Sequence, residues 1–361
     1  MSRSRILRSA AAGLAAAAVL GGAALARQAG NAARPGEIVA DLAEEAGAMR
    51  TMVQTAAVES WLEAAEILPE IEPRTIYSDR NAGVAYTAEQ YAKLPEAKKA
   101  GASEMTIDER FYYYTRYGTP IAYARPLDLV VQNIKRPGSD ELARWRIFDY
   151  GYGGIGHLRM LASLGADVVG VEVDPILQAM YADPADTGEI ENPNARRRGR
   201  GGHLTLVHGR WPGEADAHKA VGDGFDLIIS KNVLKRGYIH PEQEVDKRML
   251  VDMGVDDAAF IEALFNALRP GGLVMIYNLS PAQSPAGQAY KPWADGRCPF
   301  ERADLEKAGF RVIEFDKDDS EAAREMGSRL GWDAGDRPMD LQNDLFAQYT
   351  LLERPLRSRG N

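Results

Sequence analysis

The chain has few of the residues that build covalent or metal-stabilised sites. Cys298 is the one cysteine among 361 residues, so neither a disulfide within the chain nor a thiolate metal site can form. The histidines show neither the H-x-x-x-H nor the H-E-x-x-H spacing of zinc sites, so the sequence predicts no metal centre. The five histidines are His157, His203, His208, His218 and His240.

The chain also lacks an excess of positive charge. Its net charge is -9, from 43 Lys and Arg against 52 Asp and Glu. This balance argues against nucleic acid as a partner and against an anionic membrane surface. The one basic run, RRRGR at 196–200, lies among Gly, Pro and Asn and is predicted to be a solvated loop.

Acidic residues are missing from residues 1–26, which differ from the rest of the chain. Arg3, Arg5 and Arg8 precede an apolar Ala/Leu/Gly run that ends in an A-x-A triplet at 24–26, the order of a secretory signal peptide. We therefore expect an exported protein, periplasmic or secreted. The alternatives are a membrane anchor, since about 18 apolar residues can just span a bilayer, and an organelle transit peptide. A membrane contact is expected only through this segment.

Residues 27–138 are predicted to form a helical and aromatic-rich N-terminal segment. The spacing of apolar residues predicts a helix over 36–70, whereas 74–137 show no clear period. The tyrosines of this region predict a packing seam against the following domain, with a lid over a substrate as the alternative. These tyrosines are Tyr112, Tyr113, Tyr114, Tyr117 and Tyr123. Pro137-Gly138-Ser139 marks the expected boundary.

Residues 139–361 are predicted to form an α/β domain, because short apolar strands alternate with helices from Arg144 onward. This alternation is typical of a doubly wound, mostly parallel sheet. The strands are RWRIFDYG, ADVVGVEVD, LTLVHG, FDLIIS and GGLVMIYNL, followed by RVIEFD and FAQYTLLER. No helix is apparent between the last two strands, at 317–344.

The stretch FDYGYGGIGHLRML, at 148–161, joins the first strand to the first helix. Gly151, Gly153 and Gly156 fit G-x-G-x-x-G, and Glu172 follows the first glycine by 21 residues. This is the spacing of a dinucleotide site, in which glycines admit the ligand and the acid binds ribose. An NAD site and an S-adenosylmethionine site share all of these features.

Asp149 favours the second of these sites. A carboxylate directly before the glycines repels a pyrophosphate, whereas it can orient the ammonium group of an amino acid. Downstream, FDLIISKNVL at 225–234 and LRPGG at 268–272 follow in order. With these motifs, residues 140–354 resemble the class I S-adenosylmethionine-dependent methyltransferases.

The resemblance implies a seven-stranded sheet with an antiparallel last strand, S-adenosylmethionine as the cofactor, and methyl transfer to a small-molecule acceptor. Glu172 would bind ribose, while Asp149 and the glycines would line the methionine end. Trp211 stands near the expected adenine position, where packing on the surface is the alternative. The implied cofactor-binding set is Asp149, Gly151, Gly153, Gly156, Glu172, Asp174, Arg210, Trp211, Ser230, Lys231 and Asn232.

His240 is the candidate general base for a hydroxyl acceptor, because it follows the fourth strand, where the fold faces its substrate. The alternative is a structural histidine that caps a turn before Pro241. Two other functions stay open: a ligand-binding protein of the same fold without catalysis, and an NAD-linked oxidoreductase. The sequence does not predict the oligomeric state.

Overall fold

The computed structural model describes residues 36–115, 118–134, 142–192, 201–335 and 338–356. The expected signal peptide, the boundary near residue 138, Tyr117 and the basic run at 196–200 lie outside these ranges. Within them, no helix is long and apolar enough to cross a membrane. The same ranges contain no group of three or more His, Cys, Asp or Glu side chains that could hold a metal ion.

The N-terminal segment combines short helices with a three-stranded antiparallel sheet of order β2-β1-β3. The sequence did not predict these strands, because their residues are mostly half-buried and show little apolar alternation. The elements are α1 (Glu37–Met49), α2 (Ala56–Glu63), β1 (Arg74–Asp79), β2 (Val84–Thr87), α3 (Ala88–Ala92), α4 (Glu96–Lys99), β3 (Ser103–Ile107), α5 (Glu109–Tyr114) and α6 (Ala124–Asn133).

The helix predicted over 36–70 is divided into α1 and α2. The chain leaves the helical path between them because the backbone N–H groups of Gln54 and Thr55 donate to the buried carboxylate of Asp128 on α6. These bonds replace the intrahelical partners that a continuous helix would use. The carboxylate therefore fixes the start of α2.

The part of the described chain from residue 142 onward is built on an eight-stranded sheet of order β10-β11-β9-β8-β4-β5-β7-β6. Its elements are β4 (Arg146–Tyr150), α7 (Gly156–Ser163), β5 (Asp167–Glu172), α8 (Pro175–Met180), β6 (Gly188–Ile190), β7 (Gly202–His208), α9 (Ala215–Val221), β8 (Phe225–Lys231), α10 (Arg236–Ile239), α11 (Asp257–Ala267), β9 (Leu268–Ser280), α12 (Arg302–Lys307), β10 (Arg311–Asp318), α13 (Ser320–Arg329), α14 (Leu341–Asp344) and β11 (Phe346–Glu353).

The strand directions confirm the predicted sheet. β4, β5, β7, β8 and β9 pair in parallel, and β11 runs antiparallel to both β9 and β10. The eighth strand is β6, a short antiparallel addition to the β7 edge. α13 lies between β10 and β11, where no helix was predicted. Its buried face is made largely of small residues, Ser320, Ala323 and Gly327, so few large apolar side chains mark this helix in the sequence.

Two apolar layers cover the two faces of the sheet. One layer joins α1, α2, α6, α7 and α8 to the sheet, and the other is formed with α9, α11 and α12. Tyr112, Tyr113 and Tyr123 are buried in the first layer, so the N-terminal segment packs directly on the sheet. Cys298 is buried in the second layer, where burial raises the pKa of its thiol to about 12.

Candidate functional site

The candidate site lies where the strand order reverses. The chain passes from β4 to β5 and β7 on one side, and then returns to β8 on the other side of β4. Asp149 is the penultimate residue of β4, and it pairs with Ile229 of β8. Ligands of open α/β sheets bind at the carboxyl ends of the strands at such a point. The predicted glycine loop begins here.

The glycines shape the loop and its close packing. Gly151 and Gly153 have φ values of 77° and 60°, which favour glycine over other residues. A Cβ on Gly151 would lie 2.5 Å from Val233 Cγ2, in the segment that follows β8. Gly156 begins α7, and a Cβ there would lie 2.9 Å from Pro120 Cγ. The loop is thus held between the end of β8 and the N-terminal segment.

Asp149 is fully buried and has one carboxylate oxygen without a partner. Its Oδ2 atom lies 2.6 Å from His157 Nε2 and 3.2 Å from the Tyr123 hydroxyl, which donates to it. Its Oδ1 atom is also buried and finds no hydrogen bond in the described part of the chain. Buried acceptors are nearly always hydrogen-bonded, so this oxygen is open to a donor from outside the described part of the chain.

His157 and Tyr123 hold Asp149 from the first apolar layer. Their rings stack with centroids 3.7 Å apart. Burial lowers the pKa of His157, although the Asp149 carboxylate opposes this shift. A neutral imidazole can still donate from Nε2 to the carboxylate. The sequence patterns gave no role to His157 and placed Tyr123 in the packing seam, and they did not predict the contact of either residue with Asp149.

Glu172 ends β5 beside the glycine loop. Its carboxylate accepts hydrogen bonds from the backbone N–H groups of Val173 at 2.7 Å, Asp174 at 3.3 Å and Gly153 at 3.4 Å. Burial raises the pKa of this carboxyl to about 7, and the backbone donors oppose the shift. The acid therefore has the place expected for a ribose-binding residue.

The raised pKa of Glu172 predicts a pH-dependent effect on stability. The carboxyl is easier to ionise in the unfolded chain than in the fold. The contribution of this carboxyl to the free energy of unfolding is therefore complete below its pKa in the unfolded chain, and it is lost as the pH rises through about 7. We expect Glu172→Gln to increase the free energy of unfolding by about 1 kcal/mol near pH 8, a modest value because the side chain is only half-buried.

Urea unfolding of both proteins at about pH 5 and pH 8 measures this difference. The gain should shrink toward the lower pH, where the wild-type carboxyl is increasingly protonated. Glu306→Gln, at an exposed position on α12, serves as the matched control. A Glu172→Gln variant that is less stable than the wild type near pH 8 would contradict the expectation.

Of the three predicted residues at the end of β8, two make hydrogen bonds within the turn, and the third contacts an aromatic ring. Ser230 Oγ accepts from the N–H of Leu234 at 3.4 Å, and Asn232 Oδ1 accepts from the N–H of Leu279 at 2.7 Å, so both stabilise the turn. Lys231 is 8% exposed, and its Nζ atom lies 5.1 Å from the centroid of the Tyr123 ring. Burial lowers the pKa of Lys231 to about 8, while Asp149 opposes this shift.

The other three predicted cofactor residues lie in different surroundings. Asp174 is buried and accepts from the N–H of Ile176 at the start of α8. Arg210 is on the surface, 3.0 Å from Glu214 and 3.3 Å from Asp252 in ion pairs. Trp211 was expected either beside the adenine ring or on the protein surface, and it lies in neither place.

Trp211 is fully buried in the second apolar layer, so its ring reaches neither adenine nor solvent. It contacts the rings of Phe148, Tyr150 and Phe260. The exposed apolar residue at this edge is Val173, which is 53% exposed next to Glu172. Sequence analysis did not single it out, although its position directly after the ribose acid was a usable signal.

His240 lines a cavity of about 600 Å³ between α10, residues 251–256 and the start of α11. Its Nε2 atom lies 2.7 Å from Asp257 Oδ2, and both side chains are partly exposed. No partner of Nδ1 is found among the residues that the structure describes. The cavity is largely open to solvent, and its walls combine the apolar side chains of Ile239, Val251, Met253 and Val255 with the acids Asp252, Asp256 and Asp257.

Comparisons with known proteins add structural likeness only. The chain matches no family model and no curated protein. Among solved structures, it is similar to the [4+2]-cyclase SpnF, with 18% identity over 64% of this chain and 80% of that one, at a TM-score of 0.36. It is also similar to phosphoethanolamine N-methyltransferase 2 of Haemonchus contortus in complex with S-adenosyl-L-methionine, with 12% identity, 79% and 68% coverage and a TM-score of 0.36. A third is the cyclopropane synthase MmaA2 of Mycobacterium tuberculosis, with 13% identity, 66% and 86% coverage and a TM-score of 0.38.

The chain's own topology decides the fold. The central strands are parallel, and β11 is the antiparallel last strand. Asp149 and the glycine loop after it lie where the strand order reverses. Glu172 ends the neighbouring strand. These are the features that the sequence motifs implied, and the chain has the fold of the class I S-adenosylmethionine-dependent methyltransferases.

Proposed function

We propose that this chain binds S-adenosylmethionine at the point where its strand order reverses and transfers the methyl group to a small-molecule acceptor. One observation carries the proposal: the buried Oδ1 atom of Asp149 has no partner in the described chain. An ammonium group would satisfy it with a charge-assisted hydrogen bond. The amino-acid end of S-adenosylmethionine carries such a group.

The neighbouring residues fit the rest of this molecule. Glu172 offers carboxylate oxygens beside the glycine loop, where two ribose hydroxyls can donate. Val173 presents exposed apolar surface next to Glu172, on which an adenine ring can pack. The sulfonium supplies an already activated methyl group, so the residues of the chain have to position the acceptor and exclude water.

The site is less suited to NAD. A pyrophosphate placed at the glycine loop would face the buried Asp149 carboxylate, and the two negative charges would repel each other. His157, the second residue of α7, already directs its side chain to that carboxylate. An NAD-linked oxidoreductase is therefore the weaker proposal.

Calorimetry of the purified protein with S-adenosylmethionine, S-adenosylhomocysteine and NAD tests the proposal. We expect binding of the first two ligands and none of NAD. Binding of NAD alone would overturn the proposed function, and so would the absence of binding by all three. Transfer of a labelled methyl group to a panel of small hydroxyl compounds then separates an enzyme from a protein that only binds the ligand.

We further propose His240 as the base that removes the proton of a hydroxyl acceptor. In the tautomer with the proton on Nε2, His240 donates to Asp257, and its Nδ1 lone pair is then available to a ligand in the cavity. The arrangement is that of an oriented general base. Asp252, in the wall of the same cavity, forms an ion pair with Arg210, which follows β7, the strand next to β5.

For a hydroxyl acceptor, we expect His240→Gln to lower kcat by about 100-fold with little change in the affinity for S-adenosylmethionine, because general-base catalysis contributes about that factor. Asp257→Asn should have a smaller effect, since the imidazole remains. The rate of labelled methyl transfer as a function of pH checks this, with the exposed His203→Gln as control. Equal rates in wild type and His240→Gln would exclude this base.

A further inference from the structure

Two buried lysines follow each other closely at the end of β8, and they differ in their partners. Lys235 Nζ donates to the backbone carbonyls of Leu279 at 2.5 Å and Trp293 at 3.3 Å. Lys231 Nζ makes no hydrogen bond to any residue in the described ranges, and its contact is the face of the Tyr123 ring. Lys235 thus has a structural role that Lys231 does not share.

The Lys231 residue as a whole is 8% exposed, and its ammonium group has no acceptor among the described residues, so its capacity to donate hydrogen bonds is not used by the protein. Contact with an aromatic face compensates only in part, because it replaces none of the three hydrogen bonds that the group makes in water. The nearby Asp149 carboxylate opposes the lowering of the Lys231 pKa but accepts no hydrogen bond from it, so the ammonium group can still donate to an anionic ligand. The same reasoning applies to the unpartnered Oδ1 atom of Asp149.

Lys231 and Asp149 lie on the same face of the sheet. Asp149 pairs with Ile229 across β4 and β8, and Lys231 is two residues further along β8. Tyr123 contacts both side chains: its hydroxyl donates to Asp149, and its ring lies under Lys231. One buried anion and one buried cation therefore stand beside the same ring, each with hydrogen-bonding capacity that the protein does not use.

This pair is complementary to an amino-acid zwitterion. The ligand's ammonium group matches the Asp149 carboxylate, and its carboxylate matches the Lys231 ammonium group. We propose that Lys231 binds the α-carboxylate at the amino-acid end of S-adenosylmethionine, opposite the ammonium group held by Asp149. This inference rests on the proposed function and adds a second charged contact that distinguishes the intact amino-acid end from one without its carboxylate.

Decarboxylated S-adenosylmethionine tests this contact, because it lacks only the carboxylate. Calorimetry of the wild-type protein should show about 10- to 100-fold weaker binding of this probe than of S-adenosylmethionine, the range expected for one charge-assisted contact. Lys231→Met should lose affinity for S-adenosylmethionine by a similar factor and keep its affinity for the probe. The exposed Lys247→Met should bind both ligands like the wild type.

The outcomes separate the two proposals. A wild-type protein that binds both ligands equally would overturn the role of Lys231 and leave the proposed function standing. A Lys231→Met variant that loses both ligands equally, or neither, would overturn it as well. A wild-type protein that binds neither ligand would overturn the proposed function itself. Thermal unfolding gives a check on folding, since a variant with a single cooperative transition like that of the wild type has kept its fold.

Discussion

We expect Asp149→Asn to lower the affinity for S-adenosylmethionine by about 100-fold, because one charge-assisted hydrogen bond to a buried carboxylate is lost and an amide N–H faces the ligand's ammonium group instead. The asparagine keeps the size of the side chain. Its carbonyl oxygen can still accept from His157 and Tyr123, which contact Asp149 in the wild type. We therefore expect the variant to fold and to lose binding selectively.

Calorimetry measures this loss, and a circular dichroism spectrum like that of the wild type shows that the variant has folded. Asp304→Asn on α12 is a suitable control, because that side chain is exposed on the opposite layer. It should bind the ligand with unchanged affinity. If Asp149→Asn binds S-adenosylmethionine as tightly as the wild type, the ammonium group does not lie at Asp149, and the observation that carries the proposed function has another cause.

Asp128→Ala has the largest expected effect on stability, a loss of about 3 to 5 kcal/mol in the free energy of unfolding. The carboxylate is buried and accepts from the N–H groups of Gln54 and Thr55 and from the Thr55 hydroxyl, at 2.7 to 3.1 Å. Gln132 also donates to it, at 2.7 Å. Truncation would leave these donors without an acceptor between α2 and α6.

Urea unfolding checks the loss, with Asp41→Ala as the control on a more exposed ion pair with Arg110. The control should change stability by less than about 1 kcal/mol. α6 follows directly after Tyr123, so weaker docking of this helix should also loosen the cover over Asp149. A loss no larger than that of Asp41→Ala would show that Asp128 does not hold the N-terminal segment on the sheet.

The sequence predicted the parts of the fold and site that depend on local patterns. The parallel strands are short apolar runs, and the loop between β4 and α7 needs glycines at Gly151 and Gly153 because of their positive φ values. Glu172 could be placed because an acid at the end of the second strand has a regular spacing from that loop. Each of these signals lies within a few tens of residues.

The sequence did not predict contacts that join distant segments. Tyr123 reaches Asp149 across the seam between the N-terminal segment and the sheet, and no periodicity encodes that pairing. The pairing of His240 with Asp257 depends on how residues 241–256 fold back onto α11. The position of Trp211 was not predicted, because the sequence around an aromatic residue after a strand is similar whether its side chain points into the core or toward solvent. Export through residues 1–26 stays a prediction.

Cys298 has a practical consequence. It is the one thiol in the chain, and its burial and its pKa of about 12 keep it as an unreactive thiol at neutral pH. The wild-type protein is therefore already a background for site-specific labelling. A Ser60→Cys substitution on the exposed side of α2 would introduce a single reactive group. A fluorophore attached there would report how the N-terminal segment responds when a ligand reaches Asp149.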